Sequence, residues 1–397
     1  MIRSTAILAV VLSTFATSPA LAQSSRAALK PVLQGIVDRY LETRSKAEHI
    51  SAVSVSVSFP GEPQNLNVVA GRTALGPRSA SITPTNLFQI GSITKSFTAA
   101  AILQLEAEGK LSIDQTVGRW LPQYPAWRGV TIRRLLDMTS GILGYDNVPA
   151  MGKALAQHGL QRRFSDSVLV GFVDPAYPAA PAPTHGWNYS NTNYILAGMI
   201  IERASGNSYG SEIARRFLGP KYDLKTTYYS PNVYPASVLQ RQVSGYFWNT
   251  DPGNEPLRPL LGVDLRDMDM SWAGAAGAVV SRPEDVTHWA RALYRGDMLA
   301  PKQRRELETL VSDRTGKPLT TTSVRHPVAF GLGVGQLTKP GFGTFWYYQG
   351  ETLGYRMLYI YSEKRDLAIA VGLNSQPSDA QNKNGELIEQ LYKAIVK

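Results

Sequence analysis

A serine and a lysine three residues apart, Ser92 and Lys95 in Gln89-Ile90-Gly91-Ser92-Ile93-Thr94-Lys95-Ser96-Phe97-Thr98, are the side chains of this sequence best suited to do chemistry. On a helix, positions i and i+3 share a face, which brings an amine within reach of a hydroxyl. A buried lysine sheds its proton near neutral pH and can then take the serine proton, turning the serine into a nucleophile. Gly91 precedes the serine at the expected start of the helix. Backbone N–H groups there lack partners and can stabilise a developing oxyanion. The spacing alone is common, and a serine N-cap followed by a surface lysine gives the same letters.

A second polar cluster is Trp187-Asn188-Tyr189-Ser190-Asn191-Thr192-Asn193-Tyr194. Tyr189 can donate or accept a proton when a nearby cation lowers its pKa, and Asn191 can hold the lysine or a substrate amide. The bland alternative is a polar loop whose asparagines cap the next helix. Two other matches lack the context their chemistry needs. Gly206-Asn207-Ser208-Tyr209-Gly210 fits G-x-S-x-G, but it follows a helix where a nucleophile elbow needs a strand. Tyr145-Asp146-Asn147 fits Tyr-x-Asn, but it lacks the aromatic surroundings and reads as a surface loop. The histidines at 49, 158, 185, 288 and 326 have no metal-ligand spacing, and no Gly-rich phosphate loop is apparent.

The elements that must position these residues fall into three blocks. Residues 29–43 carry apolar side chains at helical spacing, and Val53, Val55, Val57 and Phe59 then alternate with serines as a half-buried strand. Pro60-Gly61-Glu62-Pro63 turns the chain into a second strand over 65–71. The middle is mostly helical. A helix carries Ser92 and Lys95 and runs through Phe97 to stop at Gly109. Further helices are predicted over 130–138 and 194–203, the latter ending at Ser205-Gly206. Residues 174–186 form a Pro-rich loop, and 230–270 is irregular. Ser281-Arg282-Pro283-Glu284 matches a capping box. Strands return over 330–336, 344–348, 357–361 and 367–373, before a closing amphipathic helix from Leu387 to Ile395. The predicted fold class is α+β: an antiparallel sheet built from both ends of the chain and flanked by terminal helices, with a helical region inserted at roughly 97–270. The crevice between the two parts is the natural ligand site.

Composition narrows the function classes. The 397 residues are 43% hydrophobic and 18% charged, as in a globular protein with a sizeable core. Residues 1–22 read as a secretory signal: Arg3, an apolar stretch from Ala6 to Ala16 too short to span a bilayer, and a small-residue cleavage pattern in Pro19-Ala20-Leu21-Ala22. The expectation is a periplasmic or secreted protein cut after Ala22, with residues 23–397 as one domain and no membrane span. The absence of cysteine excludes disulfides, zinc-thiolate sites and cysteine nucleophiles. A net charge of +10 with a pI near 9.6 allows attraction to cell wall or acidic substrates. The basic residues are scattered, however, which fits an ordinary basic exported protein. Pairs such as Arg162-Arg163 and Arg304-Arg305 lack the aromatic-basic repeat of a nucleic-acid binder.

Ser92-x-x-Lys95 followed by Tyr189-Ser190-Asn191 resembles the serine β-lactamase-like hydrolases, a group that includes class C β-lactamases, serine DD-peptidases, D-aminopeptidases and related esterases. Phe88-Gln89-Ile90-Gly91-Ser92 is similar to the family's approach to its nucleophile. Leu135-Leu136-Asp137-Met138-Thr139-Ser140-Gly141 is similar to its leucine-rich helix end. Gly274-Ala275-Ala276-Gly277 to Asp285 is similar to its small-residue strand leading into a Glu-Asp helix start. The resemblance runs in order over roughly residues 30–395. It implies that Ser92 is acylated by substrate, that Lys95 and Tyr189 share the acid and base work, and that Asn191 holds Lys95 and the substrate. The Ser92 N–H would be half of an oxyanion hole, and neither metal nor cofactor is needed.

The third family motif, Lys-Thr-Gly or His-x-Gly on a strand facing the serine, is altered. The best match is Tyr348-Gln349-Gly350, with the Glu351 N–H as the second oxyanion donor. The competing Lys339-Pro340-Gly341 reads as a hairpin tip, because Pro340 would break a central strand. Tyr348 supplies no positive charge for a substrate carboxylate, and Glu351 repels an anion unless it is turned away. Small esters come first among the implied substrates, then D-residue peptides or amides, then β-lactams. Two rival readings remain: a cell-wall-peptide binding protein that has lost catalysis, and a conventional hydrolase using Ser208. The oligomeric state stays open.

Overall fold

β-branched and aromatic residues concentrate toward both ends of the chain, and these segments pair into one sheet. In the computed structural model, which describes residues 19–157, 159–175 and 186–397 with side chains from residue 26 onward, the strands are β1 (Ala52–Ser58), β2 (Leu66–Gly71), β3 (Leu310–Ser312), β4 (Pro318–Leu319), β5 (Val328–Phe330), β6 (Gly335–Lys339), β7 (Gly343–Thr352), β8 (Tyr355–Ser362) and β9 (Leu367–Leu373). Their order is β2-β1-β9-β8-β7-β6-β5-β3-β4, with antiparallel neighbours throughout. The two ends of the chain meet where β1 pairs β9, with Val53 opposite Leu373 and Ser58 opposite Ala368. The main helices are α1 (Pro19–Glu48), α2 (Thr94–Ala107), α3 (Asn191–Ser205), α4 (Tyr209–Phe217), α5 (Pro283–Tyr294) and α6 (Asn384–Val396).

Strand side chains alternate between faces, so the sheet serves two cores. Val53, Val55, Val57, Ile369 and Val371 face outward onto Leu33 and Val37 of α1 and Leu387 and Leu391 of α6. Tyr355, Met357, Tyr359, Ala368 and Ala370 face inward onto the helical region. Each fully buried valine, leucine, isoleucine or methionine of this kind contributes about 1.5–3 kcal/mol. Residue 48 ends α1 with its carboxylate inside the protein. Glu48 pairs with the equally buried Arg356 of β8 at 2.8 Å and accepts from the Tyr40 hydroxyl at 2.8 Å. Burial and the Glu48 charge raise the Tyr40 pKa far above its usual value, so Tyr40 stays a neutral donor. Among the described residues, no helix is long and apolar enough to cross a membrane.

Several sequence expectations change in detail. The strand over 52–58 is buried on both faces, because its serine side lies under α5: Arg291 Nε donates to Ser58 Oγ at 3.2 Å. The helix predicted over 29–43 extends over Pro19–Glu48. That over 130–138 shrinks to Ile132–Leu136, because Met138 takes a positive φ of 66° that no helix continues through. The strand predicted over 330–336 is two strands, β5 and β6, separated by a turn in which Gly333 has φ +73°. Ser281 does not cap α5. It ends a short strand, Val279–Ser281, and its hydroxyl meets Thr227 at 2.8 Å, while Arg282 occupies the cap position and Pro283 opens the helix. Gly274-Ala275-Ala276-Gly277 is a helical turn, and the strand follows it. The apolar stretch and Arg3 of the expected leader lie outside the described residues, as does most of the Pro-rich loop.

Candidate active site

Ser92 sits in a 3₁₀ turn, Gly91–Ile93, immediately before α2, and not within the α-helix itself. The turn is pinned from both sides. Ile90 N–H donates to the Val279 carbonyl at 2.9 Å, and Thr94 Oγ1 accepts from Val279 N–H at 3.1 Å. Gly91 has φ +50°, and a Cβ there would fall 2.4 Å from the Glu351 carbonyl oxygen. A Cβ on Gly350 would fall 1.9 Å from the Ile90 carbonyl oxygen. These two glycines let the end of β7 lie directly on the nucleophile turn. The unpartnered N–H groups that open such a turn and the main chain of Glu351 thus share one spot, where two backbone donors can converge on an oxyanion.

Lys95 is fully buried. Its Nζ lies 3.0 Å from Ser92 Oγ, 2.5 Å from Asn191 Oδ1 and 2.8 Å from the Ala276 carbonyl oxygen. The Tyr189 and Tyr194 rings flank it at 4.9 and 5.5 Å. Burial lowers its pKa to about 7, partly offset by the negative charge of Asp146. A neutral amine on Ser92 is therefore accessible near neutral pH. The Tyr189 hydroxyl donates to Ser92 Oγ at 2.6 Å, and burial raises its pKa well above that of a free phenol. Of the two groups beside the serine, the lysine is suited to accept a proton and the tyrosine to carry one as a neutral phenol.

The segment bearing Tyr189 and Asn191 is held by the chain that follows Ile132–Leu136. Asn188 N–H donates to the Met138 carbonyl at 3.0 Å, Ser140 Oγ donates to Asn193 Oδ1 at 2.7 Å, and Thr192 Oγ1 both accepts from Tyr145 N–H and donates to the Leu143 carbonyl. Ser190 is the α3 N-cap residue but makes no side-chain cap bond, and Asn191 turns inward to Lys95. Asn191 is thus committed to the site and not to capping, while Asn193 ties α3 to Ser140.

Sequence reasoning misplaced one residue here. Tyr145–Asn147 forms a 3₁₀ turn in the cleft wall and not a remote surface loop. Asp146 interacts electrostatically with Asn191 and Lys95. Surrounding protein mass raises its carboxyl pKa even though its surface remains open to the cleft. Only the packing of 138–147 against 188–193 reveals its place. Lys339-Pro340-Gly341 is the β6–β7 hairpin tip, as expected, with Lys339 paired to Glu389. Ser208 caps α4, where its hydroxyl accepts from Ser211 N–H. Among the described residues, no cluster of His, Cys, Asp and Glu could hold a metal.

The cleft has two lobes. The larger, about 490 Å³, contains Ser92, Asp146, Tyr189, Asn191 and Glu351. The smaller, about 260 Å³, is aromatic, with Trp187, Phe330, Tyr347 and Tyr348, and meets the first at Tyr189 and Gln349. Tyr348 is 5% exposed and packs edge-on to Phe330. Its hydroxyl lies close enough to Tyr189 to interact electrostatically, but it makes no well-formed hydrogen bond. Tyr348 is thus a wall of the aromatic lobe behind Tyr189, and it brings no cation to the site. Gly350 and Glu351 lie against the serine turn, as expected.

Known proteins share this arrangement of chain. The family described as Beta-lactamase matches residues 37–393. Penicillin-binding protein 4* of Bacillus subtilis (strain 168) is 31% identical over 216 residues, covering 54% of this chain and 46% of that protein. Penicillin-binding protein 4 of Amycolatopsis lactamdurans is 26% identical over 308 residues, covering 75% and 71%. The match to the first of these, and to the staphylococcal proteins named flp, spans about half of their length. Among solved structures, a D-stereospecific amidohydrolase from Streptomyces sp. superposes with a TM-score of 0.73 at 26% identity, covering 90% of this chain and 97% of that one. The D-amino acid amidase of Ochrobactrum anthropi SV3 shares the fold, with a TM-score of 0.74 at 24% identity and coverage of 93% and 99%. With the match running through nearly the whole sheet and helical region, the chain belongs to the β-lactamase family.

Proposed function

We propose that the protein is a serine hydrolase that works through an acyl-enzyme on Ser92. The observation that carries this reading is the contact of one serine hydroxyl with a buried, low-pKa lysine at 3.0 Å and a neutral tyrosine at 2.6 Å. Neutral Lys95 takes the Ser92 proton as Oγ attacks the substrate carbonyl. The oxyanion is received by the Ser92 and Glu351 N–H groups. Tyr189 passes a proton to the leaving alcohol or amine and recovers one from protonated Lys95, which returns the lysine to its neutral form. Water then attacks the ester, its proton returns to the same pair, and Ser92 is released. Asn191 holds Lys95 and the acyl group.

The substrate is a small ester or a D-residue amide, ahead of a β-lactam. Tyr348 places no cation where a substrate carboxylate would need one, and the names of the Streptomyces and Ochrobactrum proteins lend support to amides of D-amino acids. Residues 1–22 act as an export signal, which puts the protein in the periplasm or outside the cell. N-terminal sequencing of the mature protein tests this, and an intact Met1 contradicts it. A panel of p-nitrophenyl esters, D-aminoacyl anilides and nitrocefin, run with Ser92→Ala as control, tests the activity. Turnover of an ester or anilide that vanishes in the variant supports it. Binding of cell-wall peptide without turnover of any substrate would favour the inactive binding protein that the altered third motif also allows.

A further inference from the structure

Although the chain carries a net charge of +10, the larger lobe of its cleft is acidic. Among the described residues it is lined by Asp146, Glu351 and Asp379 and by no arginine or histidine, and the one lysine at its base, Lys95, is committed to Ser92, Asn191 and Ala276. Glu351 stands beside the chemistry, because its own main chain packs on Gly91 next to the nucleophile. Its side chain is fixed by neutral donors: Gln349 Nε2 at 2.5 Å, Asn382 Nδ2 at 3.2 Å and Gln376 Nε2 at 3.4 Å. The orientation of Asn382 follows from its other end, where Oδ1 accepts from Arg356 at 2.6 Å. Arg356, directly across the ladder from Glu351, is itself committed to Glu48 and Ser375. No ion pair among the described residues includes Glu351. The carboxylate is therefore held rigidly, and its charge is left unmatched.

The same wall also offers acceptors with nothing to accept. Thr352 is 3% exposed, and its hydroxyl has no partner; Gln376 Oε1 is likewise buried and unpartnered. An ammonium brings one positive charge and three N–H donors, which suits a carboxylate flanked by free acceptor oxygens.

We infer that the larger lobe recognises an ammonium on the acyl part of the substrate and that Glu351 is the residue that selects for it. The substrate class is then an amide or ester of an amino acid with a free amino group. This rests on the hydrolase reading above: an α-ammonium lies two bonds from the reacting carbonyl, and Glu351 lies beside the place where that carbonyl's oxygen would sit.

The test uses the full chain with Ser92→Ala, which cannot turn over, so binding is read apart from catalysis. Calorimetry at pH 6 compares each enantiomer of phenylalaninamide with 3-phenylpropanamide, the same amide without the amine. The expected result is at least about tenfold tighter binding of one phenylalaninamide enantiomer. That advantage is lost on adding Glu351→Gln, and it fades as pH rises through the amine pKa of about 8. Equal affinities, no binding of either enantiomer, or a preference that survives Glu351→Gln overturns the inference. If that variant does not fold by circular dichroism, the pH arm decides: a preference that persists at pH 10 overturns it. Failure of the hydrolase reading shows elsewhere, as absence of a covalent adduct on Ser92 in the unmodified protein.

Discussion

If Lys95 is the base, the pH dependence of acylation follows directly from its burial. Its pKa is lowered from 10.5 to about 7, and only the neutral form can take the Ser92 proton. The neutral fraction is about one-eleventh at pH 6 and about ten-elevenths at pH 8, so acylation should rise about tenfold over that range and then level off. A lysine left at 10.5 would rise about a hundredfold over the same range and keep rising past pH 9. The assay is kcat/KM for p-nitrophenyl acetate from pH 5.5 to 9.5, corrected for spontaneous hydrolysis; this ester has no titrating group of its own. Asp146 supplies the second half of the test. Its negative charge favours charged Lys95 and so raises the lysine pKa. Asp146→Asn removes that support and should move the inflection to lower pH. A profile with no plateau below pH 9, or an inflection that moves upward in Asp146→Asn, refutes lysine as the base.

Three other outcomes are expected. Gly350→Ala places a Cβ 1.9 Å from the Ile90 carbonyl oxygen, so β7 must back away from the nucleophile turn. The expected effect is a kcat loss of about a hundredfold with about 1–3 kcal/mol of destabilisation by denaturant titration; wild-type kcat would show that the close approach is dispensable. Asn191→Ala removes the 2.5 Å partner of Lys95 and should lower kcat/KM about tenfold to a hundredfold with the fold intact by circular dichroism; unchanged kinetics would remove Asn191 from the site. Arg356→Ala removes the fully buried guanidinium from the Glu48 carboxylate, which keeps Arg44 at 2.9 Å and the Tyr40 hydroxyl at 2.8 Å, and should cost about 1.5–3 kcal/mol of unfolding free energy; a change below about 0.5 kcal/mol would mean that Arg44 and Tyr40 hold Glu48 without it.

Much of this architecture is legible in the chain because the signals are local. The β7-β8-β9 meander reads from apolar runs punctuated by turns, and Lys339-Pro340-Gly341 declares itself a hairpin tip by its proline and glycine. Ser92 and Lys95 are three residues apart on one helical face, so sequence spacing alone brings them together. The parts that were missed depend on packing between distant segments. Asp146 enters the site because residues 138–147 cradle 188–193, and nothing near Asp146 in sequence reports that. The third Lys95 acceptor is a backbone carbonyl, at Ala276, so its side chain carries no clue beyond smallness. Ser281 has the letters of a capping box, but it is claimed by the ladder and by Thr227. Glu48 and Arg356 are 308 positions apart and look like ordinary surface charges until the two ends of the chain join. The Glu351 cluster gathers residues from 349 to 382, and its unmatched charge emerges only when all its partners prove to be neutral.

The central claim is that Ser92 is a nucleophile activated by Lys95. Its most direct test is intact-mass analysis of the purified protein after treatment with a fluorophosphonate. The account predicts one adduct per chain, mapping to the peptide that contains Ser92, absent in Ser92→Ala and formed much more slowly in Lys95→Ala. An adduct that persists in Ser92→Ala, or that forms at an unchanged rate in Lys95→Ala, would contradict it.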